Sequence, residues 1–428
     1  MTTVVEREEV VAPEDEVLAP ISWKLPVIYS LATLLAIYFA LNADGIAEFV
    51  WKDIRPTRDG NNLLVYADQA CWILAIVVAG ATAFSYFRAI KRHTQPLWLG
   101  LIVLMPLILS FLTFQGGGSG RFITLAFLFS ATLTAATPLI YGSLAGVVCE
   151  RVGVVNIAIE GQLLVGAFSG VVFASAFGNP WIGLIGAPIA GALIGTLLAF
   201  FSVRYAVDQI IVGVVLNVLC LGITSFLLGT VVKNNPSWNS IAYSLPVYEI
   251  PGLSKIPFIG PVFFRHTILM YILYFLIIAL TIMLFRSRWG LRLRSVGEHP
   301  KAADTVGINV NRTRFLNTML GSALAGLGGA AFTIGSNAVF TENISAGNGY
   351  IALAAMILGK WHPVGAMGAA LMFGFASAIV DFLPLVATNP INPNLLAMIP
   401  YVVTILAVAG FVGKSRAPAA ENIPYIKS

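Results

Sequence analysis

Charge is what this sequence has least of: Asp, Glu, Lys and Arg make up 11% of its 428 residues, against about 25% in an ordinary soluble domain. A soluble globular protein is excluded. Cysteine is nearly absent, and Cys71, Cys149 and Cys220 fall within or at the ends of apolar segments, without paired or metal-ligand spacing. A disulfide framework and a zinc site are therefore not expected. The four histidines, His93, His266, His299 and His362, sit at loops or interfaces, and no Ser or Cys stands beside a plausible buried base. An intramembrane enzyme has little to work with, and no metal or cofactor is expected. No basic stripe interleaved with exposed aromatics accompanies the formal charge of +5, so nucleic acid is not an expected partner.

Apolar residues fill the space left by charge. They make up 58% of the chain, and runs near twenty residues recur from Pro26 to Val412, each long enough to cross a hydrocarbon core of about 30 Å. The fold class that follows is an all-α polytopic membrane protein in contact with lipid. About twelve crossings are expected, at 26–42, 68–87, 96–115, 122–147, 154–178, 181–203, 209–232, 267–285, 316–337, 349–359, 364–383 and 395–413. With the N-terminus in the cytoplasm, alternation puts most Lys and Arg inside, including Arg88, Lys91, Arg92, Lys414 and Arg416. The positive-inside rule favours that orientation, with both termini cytoplasmic. Residues 1–25, with Glu6, Glu8, Glu9, Glu14, Asp15 and Glu16, read as a disordered acidic tail. Residues 414–428 read as a second cytoplasmic tail, and 43–67 and 233–266 as external loops.

Two features bear on packing. Gly142 with Gly146, Gly166 with Gly170 and Gly191 with Gly195 are four apart, so helix backbones can approach closely where lipid gives no hydrophobic drive for association. The stretch from Thr341 to Gly347 is too polar for lipid, and the crossing after it is short. Non-helical backbone is tolerated at that depth only inside protein or beside water, so a broken or re-entrant element is expected.

The most informative soluble segment runs from Arg286 to Arg314. It carries Arg288, Arg292, Arg294, Lys301 and Arg312 between those ends, against Glu298 and Asp304 alone. From Arg294 to Ile308 it reads as turn, short helix, turn: Pro300 suits the first helical position and Gly307 the stop. Small Ala302 and Ala303 offer a face that another protein could cover. The bland alternative is a basic loop that only sets topology.

A second stretch, Glu150 to Gln162, leads from a cytoplasmic turn into the fifth crossing. Asn156 and Glu160 are four apart, so a helix would point both the same way. A carboxylate there is costly unless it faces a partner or water, so it must point into the bundle. It either lines a solute path or staples the broken segment through backbone N–H groups. Asn217 in the seventh crossing and Asn343 in the polar break have similar standing. Asp208 and Asp381 are expected to meet water or a helix N-terminus.

At these residues the sequence resembles permease subunits of ATP-binding cassette (ABC) importers, in the group serving branched-chain amino acids, ribose-type sugars and nucleosides, with the nucleoside branch nearest. The motifs are Ala136-Thr137-Pro138-Leu139, then Glu150 to Gly161, then Asp208-Gln209-Ile210-Ile211-Val212-Gly213 leading to Asn217. They continue with Gly290 to Arg294 through Val310, Glu342-Asn343 with Gly347 to Ala355, and Gly359-Lys360-Trp361-His362-Pro363-Val364-Gly365. The resemblance covers about 122–413. It implies a permease core at 122–413, preceded by extra membrane segments at 26–121, and a coupling helix at 297–307 seated in a groove of an ATPase subunit. Gly297, Glu298, Pro300, Ala302, Ala303 and Gly307 would make that contact. It further implies a second permease, an extracytoplasmic substrate-binding protein, and import of a nucleoside or a sugar-like solute across the cytoplasmic membrane.

Two positions depart from the pattern: His299 stands where Asn commonly precedes the proline, and Gln162 where an apolar residue is usual. The chain has no ATP site of its own to read, since Gly413-Lys414-Ser415 has Val408 where a phosphate-binding loop needs glycine. A self-sufficient secondary transporter is the rival; it too would show broken helices, but it would not need the helix at 297–307.

Overall fold

The computed structural model describes residues 22–54, 62–241, 244–387, 392–411 and 416–426. Most of the acidic segment and the Gly413-Lys414-Ser415 run lie outside the described residues. The chain divides into two compact units, residues 1–47 with 65–118, and residues 48–64 with 119–428.

The first unit is a bundle of α1 (Lys24–Asn42), α2 (Ala67–Ile90) and α3 (Leu97–Gly116), each packed on the other two. Its interior is built from small residues such as Ala36, Ala40, Cys71 and Ala75. Hydroxyls join α1 to α2, Thr33 to Thr82 at 2.9 Å and Ser30 to Tyr86 at 3.0 Å. Small residues and interhelical hydrogen bonds are what hold helices together when the solvent is as apolar as Leu.

In the second unit the segments outside the membrane carry some extended structure. Strand β3 (Phe122–Thr124) lies there, and Glu48, Phe49 and Val50 of β1 (Ile46–Val50) pair in parallel with Phe122, Ile123 and Thr124; β2 is Leu63–Tyr66. The helices follow as α4 (Leu125–Arg151), α5 (Ile159–Ala176), α6 (Pro180–Ala199), which runs on as a π-turn to Arg204, and α7 (Gln209–Leu227), which runs on to Val232. A hairpin of β4 (Val247–Glu249) and β5 (Arg265–Thr267) encloses α8 (Ile259–Phe263). Then come α9 (Ile268–Arg286), α10 (Arg288–Glu298), α11 (Pro300–Thr305), α12 (Val310–Gly329), α13 (Asn348–Leu358), α14 (Pro363–Val386), α15 (Pro393–Ala397) and α16 (Ile399–Phe411).

Among the described residues, nine helices are long and apolar enough to cross a membrane: α1 to α7, α9 and α14. The other three expected crossings differ for physical reasons. α12 begins six residues earlier than the apolar run suggested and carries Arg312 and Arg314 in its first turns; it is the hub on which α4, α5 and α6 pack. α13 has 11 residues, about 16 Å of helix, half a bilayer core. The last apolar run is divided into α15 and α16 at Met398.

The glycine pairs lie where helices touch. A Cβ on Gly166 or Gly191 would overlap the backbone of Gly326, so α5 and α6 meet α12 main chain to main chain. Gly142 and Gly146 give room to Ala352 and Met356 of α13. All three cysteines are buried and free.

Candidate functional site

The start of α5 is not helical where the spacing of Asn156 and Glu160 suggested. Residues 154–158 lie outside the helix, so the two side chains do not share a helical face. Asn156 instead pairs reciprocally with Gln162, amide to amide, at 3.0 Å in both directions. Gln162 thus has a buried partner, which explains a polar residue in an apolar position. The irregular backbone is satisfied from α7: the Gln209 carbonyl accepts from Val155 N–H at 2.6 Å, and the Asn217 amide accepts from Gly161 N–H at 2.8 Å while donating to Ile157 C=O at 2.9 Å. Asn217 therefore supplies from another helix the cap that α5 lacks locally. Gln209, which sequence reasoning passed over, is 1% exposed.

Glu160 turns toward α13. Its Oε1 accepts from Ser345 Oγ at 2.6 Å and from Gly347 N–H at 2.8 Å, and its Oε2 accepts from Gly349 N–H at 2.6 Å. These N–H groups open α13, where a helix has unpaired donors and favours negative charge. Gly349 lies so close that a Cβ would overlap the Glu160 backbone. Asn343 does not join this group; it is an exposed turn residue at φ 54° whose carbonyl accepts from Ala346 N–H.

Asn348, the first residue of α13, faces a cavity of about 480 Å³. One wall is a single face of α4, with Phe127, Ser130, Thr134 and Pro138; the opposite walls bring Phe332, Ser336, Ser377 and Asp381. A smaller chamber of about 190 Å³ shares Ser130, Thr134 and Ala331 with it. Three of the four cavity hydroxyls are committed as donors: Thr134 to Ser130 C=O, Ser336 to Ala331 and Phe332 C=O, and Ser377 to Phe373 C=O. What they turn to the cavity is lone pairs. No Lys or Arg lines the larger cavity, and Asp381 is its single carboxylate.

The basic loop is more helical than expected. Arg294 to Glu298 is the last part of α10, not a turn, and the chain breaks only at His299, whose side chain makes no cap bond. Pro300 opens α11 and Gly307, at φ 84°, follows its end. Ala303 is 2% exposed and belongs to the protein's own core with Leu293, Val296 and Val310, so it offers no outward face. Gly297 is also buried, against the Arg151 carbonyl. Glu298, Ala302 and Gly307 remain exposed, and beside them Val306 is 74% exposed.

Three elements brace this end. Arg314 is not a topology anchor in water: it is 2% exposed, and its guanidinium donates to the carbonyls of Ile423 at 2.7 Å and Ala420 at 3.2 Å. Ala420 N–H in turn donates to Gly297 C=O at 2.9 Å, which ties the C-terminal segment to both α10 and α12. Burial pushes the Glu421 carboxyl above its ordinary value. Asp208 caps α7 by accepting from Ile210 and Ile211, and the Ile211 N–H chiefly holds its carboxyl below the usual range.

Phe285 at the end of α9 is stacked on the His362 ring at 4.7 Å, with the Arg294 and Arg151 guanidinium groups at 5.3 and 5.7 Å. Burial first, then Arg151, lowers the His362 pKa from 6.5, and its Nδ1 accepts from Val364 N–H to cap α14. The sign follows: a ring whose folded pKa lies below its unfolded value contributes fully above about pH 6.5, and that contribution is lost as pH falls. Tm is therefore expected to drop between pH 8 and 5, and His362→Asn, which keeps a cap acceptor but cannot titrate, should flatten the profile. An identical profile in the variant would count against this role.

The sequence comparisons agree with one another. The family described as the permease component of the branched-chain amino acid transport system matches residues 128–408. The chain is 43% identical over 316 residues to the guanosine ABC transporter permease protein NupQ of Bacillus subtilis, which covers 71% of this chain and 97% of that one. It is 41% identical over 313 residues to the nucleoside ABC transporter permease protein NupC of Lactococcus lactis, covering 71% and 98%. NupB of the same organism, also a nucleoside ABC transporter permease protein, is 25% identical over 303 residues, covering 68% and 82%. No solved structure matches the chain. The matched region takes in the clamped α13, the α10–α11 projection and the cavity lining except Ile54 and Phe127, and it leaves α1 to α3 outside. A multi-pass helical body with this architecture, matched over most of its length, belongs to the branched-chain amino acid transport system permease family.

Proposed function

We propose that this chain is a transmembrane subunit of an ABC importer that carries nucleosides across the cytoplasmic membrane, worked by a separate ATPase. The observation that carries the choice of solute is the cavity. Three of its four hydroxyls present acceptors, its one ionisable lining group is Asp381, and Phe127 and Phe332 offer apolar faces. A free amino acid would bring a carboxylate with no cation in the larger cavity to meet it, the Arg265 of the smaller chamber being paired with Asp53 and Glu249, whereas a nucleoside brings hydroxyl and ring N–H donors and a flat base. The volume lies within the roughly 300–1,000 Å³ of small-molecule sites. The names of NupQ and NupC support the same solute class.

The exposed residues Glu298, Ala302, Val306 and Gly307, with half-buried Pro300, are the proposed ATPase contact, on the cytoplasmic side with the basic residues around them. Both termini belong on that side. The ATPase would move α10 and α11 against the end of α4, where Gly297 bears on Arg151, and the tail would hold the lever rigid through Ala420 and Arg314. Asp381 lies on α14 about 27 Å from Pro363 at the coupling end, so α4 and α14 span from lever to cavity. Tightly packed faces such as α12 against α5 and α6 switch between discrete arrangements more readily than they bend. Lactococcus lactis has two permeases of this kind, NupB and NupC, which supports a paralogous second permease here, with an external receptor delivering the solute. Glu160, Asn156 and Asn217 act in this scheme as clamps that hold Asn348 at the cavity wall. The segment 26–121 is a membrane addition to the permease core at 122–413.

The test is uptake of labelled guanosine, uridine, ribose and leucine by cells carrying this chain with its ATPase, second permease and receptor. Nucleoside uptake that is outcompeted by nucleosides alone, and lost with a hydrolysis-deficient ATPase, is expected. Competition by leucine and not by nucleosides would overturn the solute class; uptake indifferent to the ATPase would favour a secondary carrier.

A further inference from the structure

Asp381 stands out in the cavity because nothing in the fold uses it. It is exposed and has neither a hydrogen bond nor an ion pair among the described residues. The neighbouring cation is committed elsewhere: Arg121 Nη1 donates to the carbonyls of Pro384 at 3.2 Å and Leu385 at 3.3 Å. Those carbonyls end α14 beyond an internal proline, where acceptors lack intrahelical donors. Ser377, one turn earlier on the same face, points its hydrogen into its own helix. The carboxylate therefore meets the cavity unneutralised, beside a Ser377 oxygen that cannot satisfy it. A ligand with paired donors complements such a wall.

We propose that Asp381 reads the ribose of the solute, its two oxygens accepting from the vicinal 2′- and 3′-hydroxyls while the base lies between the apolar faces of Phe127 and Phe332. This rests on the nucleoside reading above. A carboxylate on a ribose hydroxyl is an established solution in dinucleotide-binding folds, and the same chemistry is available to any fold that leaves an acidic side chain facing a ribose. The amide of Asn348, set by the Glu160 clamp, is left to meet the polar edge of the base. Asp381 is thus a specificity-determining residue, and nothing in the packing requires it.

The experiment uses the complete importer, with ATPase, second permease and receptor, in vesicles at solute concentrations that saturate the receptor. Initial uptake of guanosine is compared with that of 2′-deoxyguanosine and 2′,3′-dideoxyguanosine, for the wild type and for Asp381→Asn. Because the receptor is the same in both, any change in the ratio belongs to the permease. The variant is expected to lose about ten-fold of guanosine uptake, the scale of a charge-assisted hydrogen bond, while uptake of the dideoxy analogue changes less than about two-fold. Asp381→Glu should restore part of the preference. Loss of all three solutes together, or of none, would overturn the assignment of Asp381 while leaving nucleoside import standing. A wild type that takes up no nucleoside would instead remove the reading beneath it, and this inference with it.

Discussion

Glu160→Gln is expected to unfold the junction between α5 and α13 and to abolish transport, although it removes no atom from the cavity wall. Three donors converge on the carboxylate: Ser345 Oγ, Gly347 N–H and Gly349 N–H. Both oxygens must accept. An amide offers one acceptor and turns an NH₂ group toward an N–H that has no other partner. Hydrogen bonds to a charged group are worth about 1.5–3 kcal/mol, and an orphaned buried donor costs about 1–3 kcal/mol more. The helix also loses the negative charge at its N-terminus. A local loss of about 3 kcal/mol is a large share of ordinary stability. Tm in detergent should fall by several degrees, with transport reduced at least ten-fold for every solute. A variant that is as stable as the wild type but prefers a different nucleoside would instead make Glu160 part of the path.

That clamp shows how far the residues could be read before the fold was known. A carboxylate in an apolar segment had to point inward, and it does. A staple to the broken segment through backbone N–H groups was one of its two readings, but which donors make it was not legible, because Ser345, Gly347 and Gly349 lie some 190 positions along the chain and two of the three donate from the backbone, which has no sequence signature. Asn156 misled for a related reason: helical spacing was assumed where the backbone is irregular, and the stretch is held open by Gln209 and Asn217 from α7. One local signal was legible: Asp208, expected at water or a helix N-terminus, caps α7 with its own side chain. Asn179, Ser287 and Asn309 cap their helices in the same way without having been singled out, although capping is decided within a few residues. Arg314 looked like one more basic loop residue; only the returning C-terminal segment makes it a buried strut. Asp381 was read as meeting water or a helix N-terminus; it is exposed near the C-terminal end of α14, and its place in a cavity depends on α4 packing against α14. Among the basic-loop residues, composition could not separate Ala302 from Ala303, and the fold does so sharply.

The two alanines give the second large effect, because the same substitution at adjacent positions should fail for different reasons. Ala303 packs with Leu293, Val296 and Val310 inside the protein, and Ala303→Glu would bury an unpaired charge, a cost of several kcal/mol that the site cannot relax. That variant should be poorly inserted or degraded. Ala302 is exposed, so Ala302→Glu should insert, keep its Tm within about 1 °C and still fail to transport, because under the proposed coupling it sets an acidic side chain on the face that the ATPase would cover. Val306→Asp tests the same contact from the tip of the helix, where a large apolar side chain is 74% exposed and gains most from being covered. A central interface residue is worth about 2 kcal/mol or more, so co-purification of the ATPase with the tagged permease should weaken about thirty-fold for either variant. The comparison separates lever from scaffold: if Ala302→Glu and Val306→Asp both import at the wild-type rate with the ATPase still bound, the exposed face of α11 is not where the work enters. If Ala303→Glu is stable and uncoupled, then α11 must leave its seat on Leu293 and Val296 during the cycle, and the projection is a hinged arm instead of a rigid one.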